Sequence, residues 1–570
     1  MILPFMILPT SSFRSDLNTE HNLHTHQGPD MTTPLATPTP AQLAWHDMEL
    51  GMFIHWSPGT YENTESGHDR LRTPLSIINP HLLDTEQWVD VAEAMGAKYI
   101  VMVVKHVGGF CVWQTETTDY GVRNTPWRGG KGDMLKDLSE SCRRRGIRLG
   151  VYLSPADGHF GANVGGVCAT PEKQQEYGRM YRQQLTELLT RYGSMCEVWF
   201  DGSNVVEVGD ILAAHAPDAM IFQSRHATIR WVGNEDGIAT YPAWNTLSRK
   251  DAASGIATNR HGAPDGEVWL PLECDARSRA NWFWTQDNAK TLKSLDQLVS
   301  MYYRSVGNGA VLLLNHTPDT TGRIPELDAA RAAEFGNEIR RRFGSALAET
   351  TGSGDSIELP LGGRRTVDHV IIMEDISQGE RIRVYTVEGW DGAEWQVLCR
   401  GTAVGHKRID RFAPASVSTL RLNCLKSAAT PFIRKFAAYH TGVQCGTETS
   451  PVAPRASCKV GEWGEEIYYG IGWGKGVSLE YDITDAIDDA GQFELKLVKT
   501  GGAHGVEVGA VTVTVDGTEY PQWVSRTDSP DAFNLSFPGV AQSIRLKFQL
   551  RGKGGSDCAG VILVTRTVAQ

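Results

Sequence analysis

The sequence predicts an α/β chain in which a (β/α)8-like barrel is followed by two β-sandwich domains. Three observations predict it. Between Ala41 and about Phe343, short apolar runs alternate with helical stretches, the pattern of buried parallel strands joined by crossover helices. After Gly352 the texture changes to short alternating segments broken by Gly and Asp turns, as in sandwiches. Finally, 570 residues exceed what one core holds. A barrel of typically about 250 residues with smaller modules attached is the natural division.

Residues 1–40 form a lead. Met1–Thr10 is apolar but has no basic residue ahead of it, the first being Arg14, and Ser11–Pro40 is polar and rich in Pro and Thr, which predicts disorder. Met31 is a candidate natural start. The barrel domain spans 41–346. Its strands are expected at Met52–Trp56, Tyr99–Lys105, Arg148–Ser154, Glu197–Asp201, Ala219–Gln223, Val268–Glu273 and Ala310–Asn315, with the sixth of the eight around Ile238–Tyr241. Helices are expected at Thr85–Met95, at Met134–Arg145 with Gly146 as its stop, at Glu172–Leu189 and at Glu326–Phe343. A sandwich at 347–445 takes Asp368–Glu374, Arg381–Val387, Trp395–Gly401, Thr419–Leu422 and Arg434–Tyr439. A second, at 446–570, takes Val477–Ile483, Gln492–Lys499, Gly509–Val515 and Ser543–Leu550.

Composition excludes several classes. A net charge of -12 argues against nucleic acid or an anionic membrane as partner, and no apolar run reaches spanning length. The ten cysteines are scattered, with no C-x-x-C and no zinc spacing, which favours a reducing compartment and the cytoplasm, with export left open. Gly129–Asp133 and Gly470–Gly476 are glycine-rich with a lysine, yet neither fits a phosphate-binding loop, and His21, His24 and His26 fall in the lead. No cofactor and no metal is expected.

The stretch Cys196–Gly202 (CEVWFDG) organises the rest. An apolar run ends on one carboxylate and a glycine, and barrel chemistry sits where strands end, so Asp201 is the first catalytic candidate. His55, His106 and Tyr152 stand near the ends of the three preceding strands. Burying several such polar groups without partners would cost about 1–3 kcal/mol each, and a hydroxyl-rich ligand would satisfy them. Glycosidic cleavage needs two carboxyls. Glu235, in the Arg230–Gly237 loop (RWVGNEDG) after the fifth strand and flanked by glycines and the aromatic Trp231, is the second candidate, with Glu273 and Asp275 in competition.

Gly51–Trp56, AKYIVMVVKHVGGFCVW (97–113), TDYGVRNTPW (118–127), LGVYLSP (149–155), LTELLTRYGSMCEVWFDGSN (185–204), Arg230–Gly237, Leu312–Asn315 and GHKRI (405–409) together resemble glycoside hydrolase family 29, the α-L-fucosidases, and its α-1,3/1,4 branch in particular. The resemblance runs from about Trp45 to Tyr439. It implies an exo-acting retaining hydrolase releasing terminal α-L-fucose, with Asp201 as nucleophile, Glu235 as acid/base, His55, Glu65, His106 and Tyr152 on the sugar hydroxyls, and an aromatic of Trp282-Phe283-Trp284, Trp282 first, along the sugar's apolar side. A fucosylated glycan is the implied partner. Two positions depart from the family pattern: Val107 follows His106 where a second histidine is usual, and Ser66 follows Glu65 where a Trp is usual. Both enlarge the pocket, which leaves room for an α-L-galactoside or another α-L-sugar, while a carbohydrate-binding protein without catalysis is the reading from another class.

Overall fold

The computed structural model describes residues 34–63, 73–202, 204–252 and 261–443, with most of 458–567. The lead before residue 34, including His21, His24 and His26, together with Glu65, Ser66 and the 470–476 stretch, lies outside the described residues.

Eight strands form one parallel sheet: β1 (Leu50–Ile54), β2 (Tyr99–Lys105), β3 (Arg148–Leu153), β4 (Met195–Trp199), β5 (Met220–Phe222), β6 (Arg230–Trp231), β7 (Leu272–Arg277) and β8 (Val311–Asn315). Their order is β5-β4-β3-β2-β1-β8-β7-β6, and a parallel bridge from Phe222 to Ile229 closes β5 onto the start of β6. Period-two alternation sorts the side chains. Phe53, Tyr99, Val101, Val103, Tyr152, Trp199, Val311 and Leu313 fill the lumen, whereas Met52, Ile54, Ile100, Met102, Val151, Val198, Leu312 and Leu314 pack under the surrounding helices.

The helices Thr85–Met95 and Met134–Arg145 have their predicted bounds. Each starts on an Asp whose carboxylate accepts from the third backbone N–H and ends on a left-handed glycine, Gly96 or Gly146. A further helix, Pro40–His46, opens with a capping box between Thr39 and Gln42 and carries Trp45 into the barrel floor.

Two strand expectations are corrected. The sixth strand is Arg230–Trp231, not Ile238–Tyr241, so Glu235 follows the sixth strand rather than the fifth. No apolar run marks it, because its outward residue is a buried arginine whose guanidinium donates to Leu270 O (3.0 Å) and Trp244 O (2.5 Å). The expected Val268–Glu273 strand splits at Pro271, which has no N–H to give a ladder. Val268–Trp269 pairs antiparallel with Thr246–Leu247, and the barrel strand begins at Leu272.

Beyond the barrel, one six-stranded antiparallel sheet is built on two long strands, Ser356–Glu374 and Arg408–Ser427, whose pairing breaks register twice and so bends over its own apolar core. Its Gly405–Ile409 turn meets the barrel through His406 and Lys407, both on Glu49. In the C-terminal part, sheets of five and four antiparallel strands enclose a separate core.

Candidate active site

Asp201 lies two residues beyond β4, exposed at the barrel mouth. Gly202 behind it has φ +84°, and its N–H donates to the side-chain oxygen of Gln223, so the chain turns sharply and the carboxylate faces outward. Tyr152 Oη donates to Asp201 Oδ2 at 2.8 Å. Burial, then the charge of Asp201, raises this phenol well above its ordinary value, so Tyr152 stays a donor. Its ring lies between His106 (5.6 Å between centroids, 15°) and Trp199 (5.3 Å, 22°).

The wall continues through His106 to His55, with ring centroids 6.1 Å apart, and from His55 to Trp282 at 4.9 Å. Asn315 at the end of β8 orients both. Its amide nitrogen donates to Trp282 O (2.9 Å), so its oxygen faces His55 Nδ1 (2.9 Å) and makes that nitrogen an N–H donor. Phe283, fully buried, backs both histidines at 5.3 and 5.0 Å. The turn His106–Gly109 is fixed from behind by the buried Lys105–Asp157 pair (3.1 Å), and a Cβ at Gly109 would come within 2.1 Å of Asp157 Oδ1.

Glu235 sits in a built loop. Asn234 Oδ1 accepts from Asp236 N (3.1 Å) and Ile238 N (3.4 Å), and the backbone of Asp236 bridges Ala276 of β7. Gly237 has φ +71°, and a Cβ there would meet Met301 Cε at 2.7 Å. Glu235 Oε2 accepts from Trp282 Nε1 (3.2 Å) and stands 3.4 Å from the Arg277 guanidinium. Its side chain is 43% exposed.

Glu273 and Asp275, the competitors for the acid role, point into the lumen below the mouth, at 0% and 3% exposure. Glu273 is tied to Trp199 Nε1 (2.7 Å) and Tyr99 Oη (3.2 Å), and Asp275 to Trp231 Nε1 (2.6 Å). Burial raises both carboxyls well above the ordinary range, helped by neighbouring Glu197 and Glu235 respectively. Neither reaches solvent as a leaving-group acid must.

Of the eight residues nominated from sequence, six form one run of contacts: Asp201, Tyr152, His106, His55, Trp282 and Glu235. Trp231 joins through Asp275, and Glu65 is outside the described residues. Sequence reasoning missed Arg277, Asn315 and Gln223. The period of β7 and β8 was the available signal: counting by twos from Glu273 reaches Asp275 and Arg277, and from Val311 reaches Leu313 and Asn315.

An α-L-fucosidase family model matches residues 75–341. Alpha-L-fucosidase 1 of Arabidopsis thaliana is 31% identical over 459 residues, covering 71% of this chain and 88% of its own. The chain belongs to glycoside hydrolase family 29, the α-L-fucosidases. The Ruminococcus gnavus family 29 fucosidase in complex with fucose superposes with a TM-score of 0.64 at 27% identity, over 72% of this chain and 97% of its own. A family 29 member from a rumen bacterium has the same TM-score at 25% identity and covers 94% of this chain and 100% of its own, so its likeness extends past the barrel and first sandwich.

Proposed function

We propose that this family 29 glycosidase is a retaining α-L-fucosidase in which Asp201 is the nucleophile and Glu235 the acid/base. The observation that carries the reading is the unbroken run of side chains from Asp201 through Tyr152, His106, His55 and Trp282 to Glu235. Two carboxylates on separate loops are joined by the groups a sugar's hydroxyls and apolar face require. Asp201 attacks the anomeric carbon through an oxocarbenium-like transition state while Glu235 protonates the departing oxygen. Glu235 then takes a proton from the water that releases fucose from the covalent intermediate. His55 and His106 bind hydroxyls, and Trp282 and Trp231 offer apolar faces. A terminal α-L-fucosyl group on a glycan or glycoside is the substrate.

We also place the enzyme in a reducing compartment, because seven of the eight described cysteines are buried and all eight are thiols. Among the described residues no helix is long and apolar enough to cross a membrane.

The test is turnover of 4-nitrophenyl α-L-fucoside with the first-released anomer followed by NMR. The α-anomer is expected, and β-fucose released first would overturn retention. Asp201→Ala should lose activity on the order of 10⁴-fold or more, and added azide should restore part of it as β-L-fucosyl azide. The corresponding α-L-galactoside, run in parallel, should turn over more slowly; faster turnover would replace fucose as the sugar.

A further inference from the structure

Four carboxyls climb the inside of the barrel, and each accepts an indole N–H: Glu197 from Trp45 (2.9 Å), Glu273 from Trp199 (2.7 Å), Asp275 from Trp231 (2.6 Å) and Glu235 from Trp282 (3.2 Å). The lower three are buried and only Glu235 reaches solvent. Asp275 is the rung beneath Glu235. It shares β7 with Arg277, which faces Glu235, and the bridge between Asp236 and Ala276 lays the Glu235 loop along the same strand. Asp275 therefore stands beneath the acid/base assembly, on the strand that carries Arg277 and to which the Glu235 loop is bridged.

Resting on the assignment of Glu235 as acid/base, we propose that Asp275 is a positioning residue for the general-acid step. It holds Trp231 and the β7 wall on which the Glu235 loop rests, and it does so without placing a second anion under Glu235. Burial, with the charge of Glu235 beside it, raises the Asp275 carboxyl well above the ordinary carboxylate range and so favours its neutral form. This matters when Glu235 gives up its proton. The carboxylate that forms then has the Arg277 cation beside it and a neutral acid below, so its negative charge develops without like-charge repulsion from the lumen.

The proposal makes neutral Asn an adequate replacement and an apolar side chain a poor one. Asp275→Asn, Asp275→Leu, Trp231→Phe and Glu235→Gln would be assayed on aryl α-L-fucosides, from phenyl to 2-chloro-4-nitrophenyl, the latter leaving without a proton. Asp275→Asn should stay within about threefold of wild type throughout. Asp275→Leu should lose about tenfold or more in kcat/KM on the phenyl glycoside and much less on the chloronitrophenyl one, in the same direction as Glu235→Gln. Trp231→Phe, which removes the indole donor along with part of the ring face, should show the same steepening on top of any uniform loss from sugar stacking, and serves if the Leu variant does not fold. Equal losses on every leaving group, no loss, or an Asn variant as impaired as the Leu variant would overturn the role of Asp275. A flat response from Glu235→Gln itself would overturn the acid/base assignment instead.

Discussion

Replacing Tyr152 by Phe isolates one contact of the proposed nucleophile. The phenol donates to Asp201 Oδ2 at 2.8 Å, while its ring is stacked between His106 and Trp199. Phe keeps both stacking partners and removes the hydrogen bond alone. A hydrogen bond to a charged group is worth roughly 1.5–3 kcal/mol, or roughly 10- to 150-fold in rate. Asp201 is exposed, so water takes over part of the lost donation and the low end applies. The expected loss is about 10- to 30-fold in kcat/KM for 4-nitrophenyl α-L-fucoside, with the melting temperature nearly unchanged. Since Tyr152 is held protonated well above the ordinary phenol range, the loss should stay constant across the working pH range. A double-mutant cycle separates the possible targets of the hydroxyl. In Asp201→Ala reactivated with azide the carboxylate is gone, so adding Tyr152→Phe should cost less than about threefold. A full-sized loss in that background would show that the hydroxyl serves the sugar rather than Asp201, and no loss in the parent enzyme would refute the orienting role altogether.

Three further expectations follow from buried polar groups. Glu380, at the seam between barrel and sandwich, accepts from Asn245 N (3.0 Å) and Nδ2 (2.7 Å), and burial, with Glu374 beside it, pushes its carboxyl from 4.5 up to about 7. The folded state therefore holds this proton more tightly than the unfolded chain, a contribution present below the ordinary carboxylate value and lost as pH rises to about 7, amounting to about 3 kcal/mol at most. In thermal melts, Glu380→Gln should gain on the parent from pH 5 to pH 7 and hold a constant advantage above pH 8; parallel curves would sink the argument. Arg230→Met strips the donors from Leu270 O and Trp244 O and should cost about 3 kcal/mol, roughly 6–10 °C in the barrel's melting by calorimetry. Asn315→Ala unpins the His55 ring and the Trp282 backbone together, and should raise KM about tenfold while 2-chloro-4-nitrophenyl and phenyl fucosides suffer alike.

Much of the barrel was legible because its physics is local. Short continuous apolar runs, buried on both faces, mark β1 to β4 and β8, and helix ends announce themselves by Asp caps and left-handed glycines that satisfy orphan backbone groups. The reading failed where tertiary partners replace that signal. β6 is two residues long, and its outward position is an arginine stabilised by carbonyls from segments 14 and 40 residues away in sequence, which no local pattern encodes. Pro271 cut one apolar run into two strands belonging to different sheets, a distinction only the partner strands supply.

The same division separates the two proposed catalytic acids. Asp201 is visible in sequence because a buried strand must deliver whatever follows it to the mouth, so one residue's position settles its exposure. Glu235 stands in a loop, and its surroundings come from elsewhere in the chain: Trp282, and Arg277 with Asp275 beneath it on β7. Glycines at 233 and 237 hint that the loop is tightly turned, yet they say nothing about which groups it is turned against. What surrounds Glu235 is the cation at its side and the buried Asp275 below, and these arise from alternation along β7 only once β6 and β7 lie side by side. A lumen carrying Glu197, Glu273 and Asp275 would be untenable if all three were ionised. Each has an indole N–H in place of a cation, a donor sufficient for a neutral acid and too weak to stabilise a buried anion. The barrel interior is thus arranged to keep its negative charge at the mouth, on the two carboxyls that the proposed reaction consumes and restores.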